Sequence, residues 1–142
     1  MNIAVIAANG RTGKVFVGKA LVAGHTVRAG VRGTHDLPAH PRLEVVDCDA
    51  TDESDVRRLV NKQDAVVSFI GHIKGSPAFV QTYAMRVLKH VLMTERGTIR
   101  LISLTGTGVR MPNDRIGLVD RILNAGIGLI DPKRINDGKQ HV

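Results

Sequence analysis

Cysteine is almost missing from this chain: Cys48 is the single one in 142 residues. No internal disulfide and no multi-cysteine metal site can form, in keeping with a reducing compartment. Aromatic residues are as scarce, with no Trp, one Tyr (Tyr83) and three Phe (Phe16, Phe69 and Phe79). Little remains for stacking nucleic-acid bases. No apolar run approaches the roughly 20 residues that a bilayer span needs, and the run over residues 3–8 is too short for a signal-peptide core. These absences predict a soluble, cytoplasmic protein with no membrane partner.

Charge is present in excess of one sign. Lys plus Arg number 20 against 13 Asp plus Glu, a net +7, yet no five or six basic residues adjoin. Dispersed cations serve a small phosphorylated ligand or solubility better than they serve a nucleic-acid partner, which is not expected. The acidic residues gather instead: Asp47, Asp49, Asp52, Glu53 and Asp55. Hydrophobic residues at 43% and charged residues at 23% are globular values, and the length suits a single domain, 1–142.

Short runs rich in β-branched residues lie at residues 3–7, 27–31, 43–46, 65–70 and 99–104 and read as buried parallel strands. Helical patterns lie between them at residues 12–23, 53–60 and 77–94. In the last, Phe79, Tyr83, Val87 and Val91 recur at i+4 with Val80, Ala84 and Leu88 beside them, giving a core-facing stripe. Ser76 before Pro77 reads as its N-cap and Gly97 as its stop. The succession predicts an α/β, doubly wound parallel sheet of five strands in the order 3-2-1-4-5. Residues 1–104 hold the βαβ core. Residues 105–142 form a weaker, partial substrate-side segment without a sixth strand.

The segment Ala7-Ala8-Asn9-Gly10-Arg11-Thr12-Gly13 follows the first strand and opens the first helix. A turn there lets a phosphate meet backbone N–H groups at the positive end of a helix dipole, provided no side chain blocks the approach. Gly10 is assigned to that approach, with Ala8, Asn9, Arg11 and Thr12 around it, and Gly13 to close packing of helix on sheet. A tight βα turn without a ligand is the alternative.

From Ile3 to Gly13 these residues resemble the opening of the atypical short-chain dehydrogenases of the NAD(P)H-binding, NmrA-like group. That group includes bacterial NADH-flavin reductases and biliverdin-IXβ reductases. The likeness continues through Gly24-His25-Thr26-Val27, Val31-Arg32, Val46-Asp47-Cys48-Asp49, Asp64-Ala65-Val66-Val67-Ser68 and Leu101-Ile102-Ser103. It implies a Rossmann-type fold and a nicotinamide cofactor. One departure is Ala7, where the group often has Gly; alanine fits there if its φ stays negative.

Charge speaks to the choice of cofactor. A ribose 2′-OH is commonly met by a carboxylate at the end of the second strand, and a 2′-phosphate by cations. Arg32 follows Val31, Arg11 lies in the turn, and no Asp or Glu occurs between Gly13 and Asp36. NADPH is expected over NADH. By resemblance, Asp49 at the end of the third strand faces the adenine amino group, although it and Asp52 compete for a helix cap. Gly71 after the fourth strand leaves room for the nicotinamide ribose, or is a plain strand-to-loop glycine. Ser103 and Thr105 close the fifth strand near the nicotinamide and the substrate, with Ser103 the candidate catalytic residue. The six histidines show no metal-ligand spacing; His72 alone lies near the expected cleft. Cys48 reads as a small core hydrophobe on a buried strand.

The Tyr-x-x-x-Lys pair of many short-chain dehydrogenases is absent, since Tyr83 is followed at i+4 by Val87. The expected function is therefore an NADPH-dependent reductase of flavin-type or quinone-type acceptors, with no strong side-chain acid or base required. The alternatives are a non-catalytic NAD(P)-sensing regulator and a sugar-nucleotide epimerase-like enzyme. Members of the group usually continue beyond the position of Val142 with a helix and a sixth strand. The resemblance thus implies a chain either truncated at its C-terminus, the favoured reading, or naturally shortened, its fifth strand an open edge and a route to a homo-oligomer.

Overall fold

A computed structural model describes residues 1–71, 76–95 and 98–104. They fall into two compact units, one of Met1–Ile70 with Arg86–Leu104 and one that contains Gly71–Met85. The expectations for Thr105, for His72, for the stop at Gly97 and for residues 105–142 lie outside the described residues.

The first unit holds a five-stranded parallel sheet. Its strands are β1 (Asn2–Ile6), β2 (Thr26–Val31), β3 (Leu43–Asp47), β4 (Ala65–Ser68) and β5 (Arg100–Ser103). Their order is β3-β2-β1-β4-β5, all pairs parallel, as the sequence pattern predicts. Burial follows position in the sheet. Ile3 to Ile6 and all of β4 are buried because both faces of an inner strand are covered, which is why they read as unbroken apolar runs. The outermost described strands, β3 and β5, contain no fully buried residue.

Helix α1 (Arg11–Val22) joins β1 to β2, and α2 (Glu53–Val60) joins β3 to β4. Alternation along the strands sends Ile3, Val5, Val27, Ala29, Val31 and Val67 to one face, where Val17, Ala20 and Leu21 of α1 complete a continuous core. The other face receives α2. A Cβ on Gly30 of β2 would lie 3.0 Å from Leu59 Cδ2 and 3.2 Å from Cys48 Cβ, a tight fit that glycine relieves. Arg28, two residues earlier on that face, donates through one guanidinium nitrogen to the carbonyls of Arg58, Leu59 and Asn61 at the C-terminal end of α2. Its Nε is paired with Glu44 at 2.7 Å. The β2–β3 connection, residues 32–42, carries no helix and is anchored by buried Leu37.

Helix α3 (Val80–Thr94) differs from expectation in two ways. It starts at Val80, not Pro77, because Phe79 holds φ 60°, outside the right-handed helical region. The Phe79 carbonyl accepts the first helical bond, from Tyr83 N–H at 2.9 Å, so the cap position is Phe79 and not Ser76. Within the expected stripe Val80, Ala84, Leu88 and Val91 are buried, but Tyr83 is 53% exposed. Tyr83 is no core residue. At the far end of this helix, Glu95 accepts from Arg57 of α2 at 2.8 Å, which ties the two elements together within the first unit.

Candidate functional site

At the carboxyl edge of the sheet the register aligns Val46, Gly30, Ile6, Ser68 and Ser103 in one row across all five strands. The chain leaves this row at Ile6 and enters the turn of residues 7–10. Gly10 N–H donates to the Ala7 carbonyl at 3.1 Å, and buried Ala8 donates to the Gly30 carbonyl at 3.1 Å, pinning the turn onto the end of β2. Ala7 itself holds φ 58°. The condition of a negative φ at this alanine is not met. The turn requires the left-handed region, which costs an L-residue with a Cβ about 1–2 kcal/mol and glycine almost nothing.

The two glycines are needed for different reasons. A Cβ on Gly13 would lie 2.5 Å from the Ala7 oxygen, 2.7 Å from the Ala8 oxygen and 2.9 Å from the Ala8 carbonyl carbon. All three are backbone atoms that cannot move aside, so Gly13 sets the approach of α1 to β1. Gly10 has an ordinary φ of −69° and occupies the N-cap position of α1, making no side-chain cap hydrogen bond. No acidic residue stands in the first turn of that helix. With Gly10, Arg11 and Thr12 exposed, the positive end of the dipole opens to solvent.

Asn9 reaches sideways. Its Nδ2 donates to the Thr34 carbonyl at 3.2 Å, and its Oδ1 accepts from Asp36 N–H at 3.5 Å, so it ties the turn to the segment after β2. Lys14, in the first turn of α1, adds an ion pair to Asp36, with Nζ 2.7 Å from Oδ2. That contact holds the Asp36 carboxyl below its ordinary range. Arg32 is exposed at the start of the same segment, and Gly33 turns it with φ 72° while donating to Asp47 at 3.3 Å. Sequence reasoning overlooked Lys14 and Asp36. The only signal was a lysine beside Gly13, and nothing in the sequence shows that residues 34–36 fold back to it.

Asp49 lies two residues beyond β3. Its Oδ1 accepts from Thr51 N–H at 2.8 Å and Thr51 Oγ1 at 2.7 Å, and these bonds, with Arg32 nearby, hold the carboxyl below its usual range. Asp52 wins the cap: it is the N-cap of α2 and accepts from Asp55 N–H at 3.0 Å. Cys48 has passed the end of β3 but is buried, and its N–H donates to the Val31 carbonyl at 2.7 Å. Burial first, then Asp55, pushes the thiol up to about 12, as befits a core group rather than a nucleophile. Ser103 is half-buried at the end of β5, two strand spacings or about 10 Å from Ile6. Gly71 belongs to the second unit, where a Cβ would meet only Gln81 Nε2 at 4.0 Å. No group of three or more potential ligands that could hold a metal occurs among the described residues.

The family model described as NAD(P)H-binding matches residues 7–130, most of the chain, starting at the strained alanine of the turn. The chain belongs to this NAD(P)H-binding family. No curated protein matches it. Among solved structures it is similar to a Streptococcus pneumoniae protein named as an NADH-flavin reductase, at 21% identity and TM-score 0.75, over 99% of this chain and 63% of that one. A short-chain dehydrogenase/reductase from Veillonella parvula matches at 12% identity and TM-score 0.75, over 99% and 61%. Uronate dehydrogenase from Agrobacterium tumefaciens, solved with NAD, matches at 18% and 0.66, over 96% and 57%. These likenesses establish a shared Rossmann-type fold. The chain spans about three fifths of the length of those proteins. An uncapped helix N-terminus, a first turn without acid and two glycines at its mouth fit the pyrophosphate of a nicotinamide dinucleotide. No described helix is long and apolar enough to cross a membrane.

Proposed function

We propose that this NAD(P)H-binding chain is a reductase that binds NADPH in preference to NADH and reduces a flavin-type or quinone-type acceptor. The observation that carries the reading is the open N-terminus of α1, its first-turn N–H groups left without a side-chain cap behind Gly10. Gly10, Arg11, Thr12 and Gly13 would hold the pyrophosphate, with Ala8 and Asn9 shaping the turn. Arg32 supplies positive charge at the end of β2, where the adenosine ribose of a dinucleotide lies. Asp49 faces the adenine side, its carboxylate oriented by Thr51. Ser103, Thr105 and Gly71 are assigned to the nicotinamide half, on the order of the strands and the resemblance.

When bound, the reduced nicotinamide supplies a hydride to the acceptor, and a proton from solvent completes the reduction. Between Val46 and Ser103 the row of residues at the carboxyl edge contains no acid or base. On this reading the described residues of the row orient the reactants, which suits acceptors that stack on the nicotinamide and need no proton donor. The S. pneumoniae neighbour's name, NADH-flavin reductase, supports the acceptor class.

The test is direct. Fluorescence titration with NADPH and NADH gives the two dissociation constants, and loss of nicotinamide fluorescence on adding FMN, riboflavin or a small quinone reports turnover. Tighter binding of NADPH with oxidation by one of these acceptors is expected. Binding without turnover would replace the reductase with an NAD(P)-sensing regulator, a role that the same acid-free row also fits. A clear NADH preference would overturn the cofactor assignment.

A further inference from the structure

The Lys14–Asp36 pair has no part in building the sheet, yet it stands at the most discriminating place in the site. A dinucleotide with its pyrophosphate at the start of α1 puts its adenosine ribose over the end of β2. There an acidic residue roughly 20 positions after the glycines ordinarily accepts from the 2′-OH. Asp36, 23 positions after Gly13 and five beyond the end of β2, is the first acid after the turn and favours NADH if it takes that role, whereas Arg32 at the head of the same segment favours a 2′-phosphate. The conflict is settled by where Lys14 points: its ammonium contacts both carboxylate oxygens of Asp36, while Asn9 holds the backbone of residues 34 and 36 against the turn.

We propose that Lys14 and Asp36 together read the 2′ position of the adenosine ribose, Lys14 neutralising Asp36 and transferring its ammonium to a 2′-phosphate when one is present. This assignment rests on the dinucleotide-binding reading above. A carboxylate beside a phosphate dianion is repulsive, and one cation within reach of both anions removes that repulsion. With a bare 2′-OH the carboxylate can accept the hydroxyl and Lys14 stays where it is. Lys14 is then the residue that makes NADPH acceptable in a site whose acidic residue alone would reject it.

The experiment measures dissociation constants of NADPH and NADH by fluorescence titration for the unaltered chain, Lys14→Gln, Lys14→Arg and Asp36→Asn. Thermal unfolding checks that each variant is folded. Both side chains are substantially exposed, and Lys14→Met serves as a second neutral variant. Lys14→Gln should weaken NADPH about tenfold or more and change NADH by less than about twofold. Lys14→Arg should keep the preference. Asp36→Asn should move the ratio the other way, weakening NADH and leaving NADPH equal or tighter. Equal changes for both cofactors in Lys14→Gln, or a ratio unmoved by Asp36→Asn, overturns the assignment alone. Failure of the unaltered chain to bind either cofactor overturns the dinucleotide reading and this assignment with it.

Discussion

Two βα turns leave the same edge of the sheet and begin helices of opposite character. The turn after β1 ends in glycine, puts no acid in the first turn of α1 and makes no side-chain cap. The turn after β3 is closed: Asp52 caps α2, Glu53 and Asp55 occupy its first turn, and Asp49 is held by Thr51. The folding problem is the same in both, since each helix starts with N–H groups that need partners. Side chains of the protein meet that need at α2. At α1 no side chain meets it, which leaves it to solvent or, in the proposed function, to a ligand. The acidic cluster and the glycine turn are two answers to one requirement, and only the second leaves helix N–H groups open to the anion that the proposed function places there.

The largest expected effect comes from closing the space at the open turn. Gly13→Ala puts a methyl 2.5 Å from the Ala7 oxygen. It should destabilise the fold by about 3 kcal/mol, read as a lower urea midpoint, and should abolish NADPH binding. If binding survives, the helix can shift and the turn is less rigid than its contacts imply. Gly10→Asp makes the first turn resemble the second by adding a cap and a charge. Because Gly10 has φ −69°, an L-residue is tolerated, although its Cβ lies a tight 3.3 Å from the Ala7 oxygen. Stability should hold while dinucleotide affinity falls about tenfold or more. Unchanged affinity would show that the helix terminus is not the anion site.

The closed turn has its own measurable mark. The Cys48 thiol is buried and pushed up to about 12, so it stays protonated in the folded chain where the unfolded chain ionises near an ordinary thiol value. The unfolded state then holds fewer protons, and stability should fall as pH rises from the ordinary thiol range toward 12. Native protein at neutral pH should resist thiol-alkylating reagents that label it fully in urea. Rapid native labelling would mean that this turn opens. The smallest effect belongs to the strained alanine: Ala7→Gly relieves φ 58° but adds chain entropy to the unfolded state, a net gain of about 0.5–1 kcal/mol in unfolding free energy.

The strand order and the position of the turn are legible in the sequence because a strand buried on both faces is an unbroken apolar run and a βα turn needs glycine at fixed steps. The bounds of α2, Glu53–Val60, follow directly from an acidic start and an apolar stripe. Helix α3 is misread for an equally physical reason. Phe79 adopts a left-handed conformation that no local pattern announces, so the apparent cap at Ser76 is bypassed and Tyr83 turns outward. Ala7 is the same kind of case: the residue type gives no sign that the turn forces its φ positive.

What the sequence by itself determined is the family, the parallel sheet, the glycine turn and the capacity of Gly13 to admit a helix close to a strand. These follow from properties of residues near one another in the chain. Only the tertiary structure decided which acid caps α2, that Asp49 is engaged by Thr51, and that Lys14 meets Asp36 across 22 positions. The first two turn on backbone geometry within a few residues, whereas the last depends on where the loop after β2 folds, which Asn9 holds from across the sheet edge and buried Leu37 anchors. Local chemistry fixes where a helix terminus stays open; long-range contacts fix which charged side chains stand beside it.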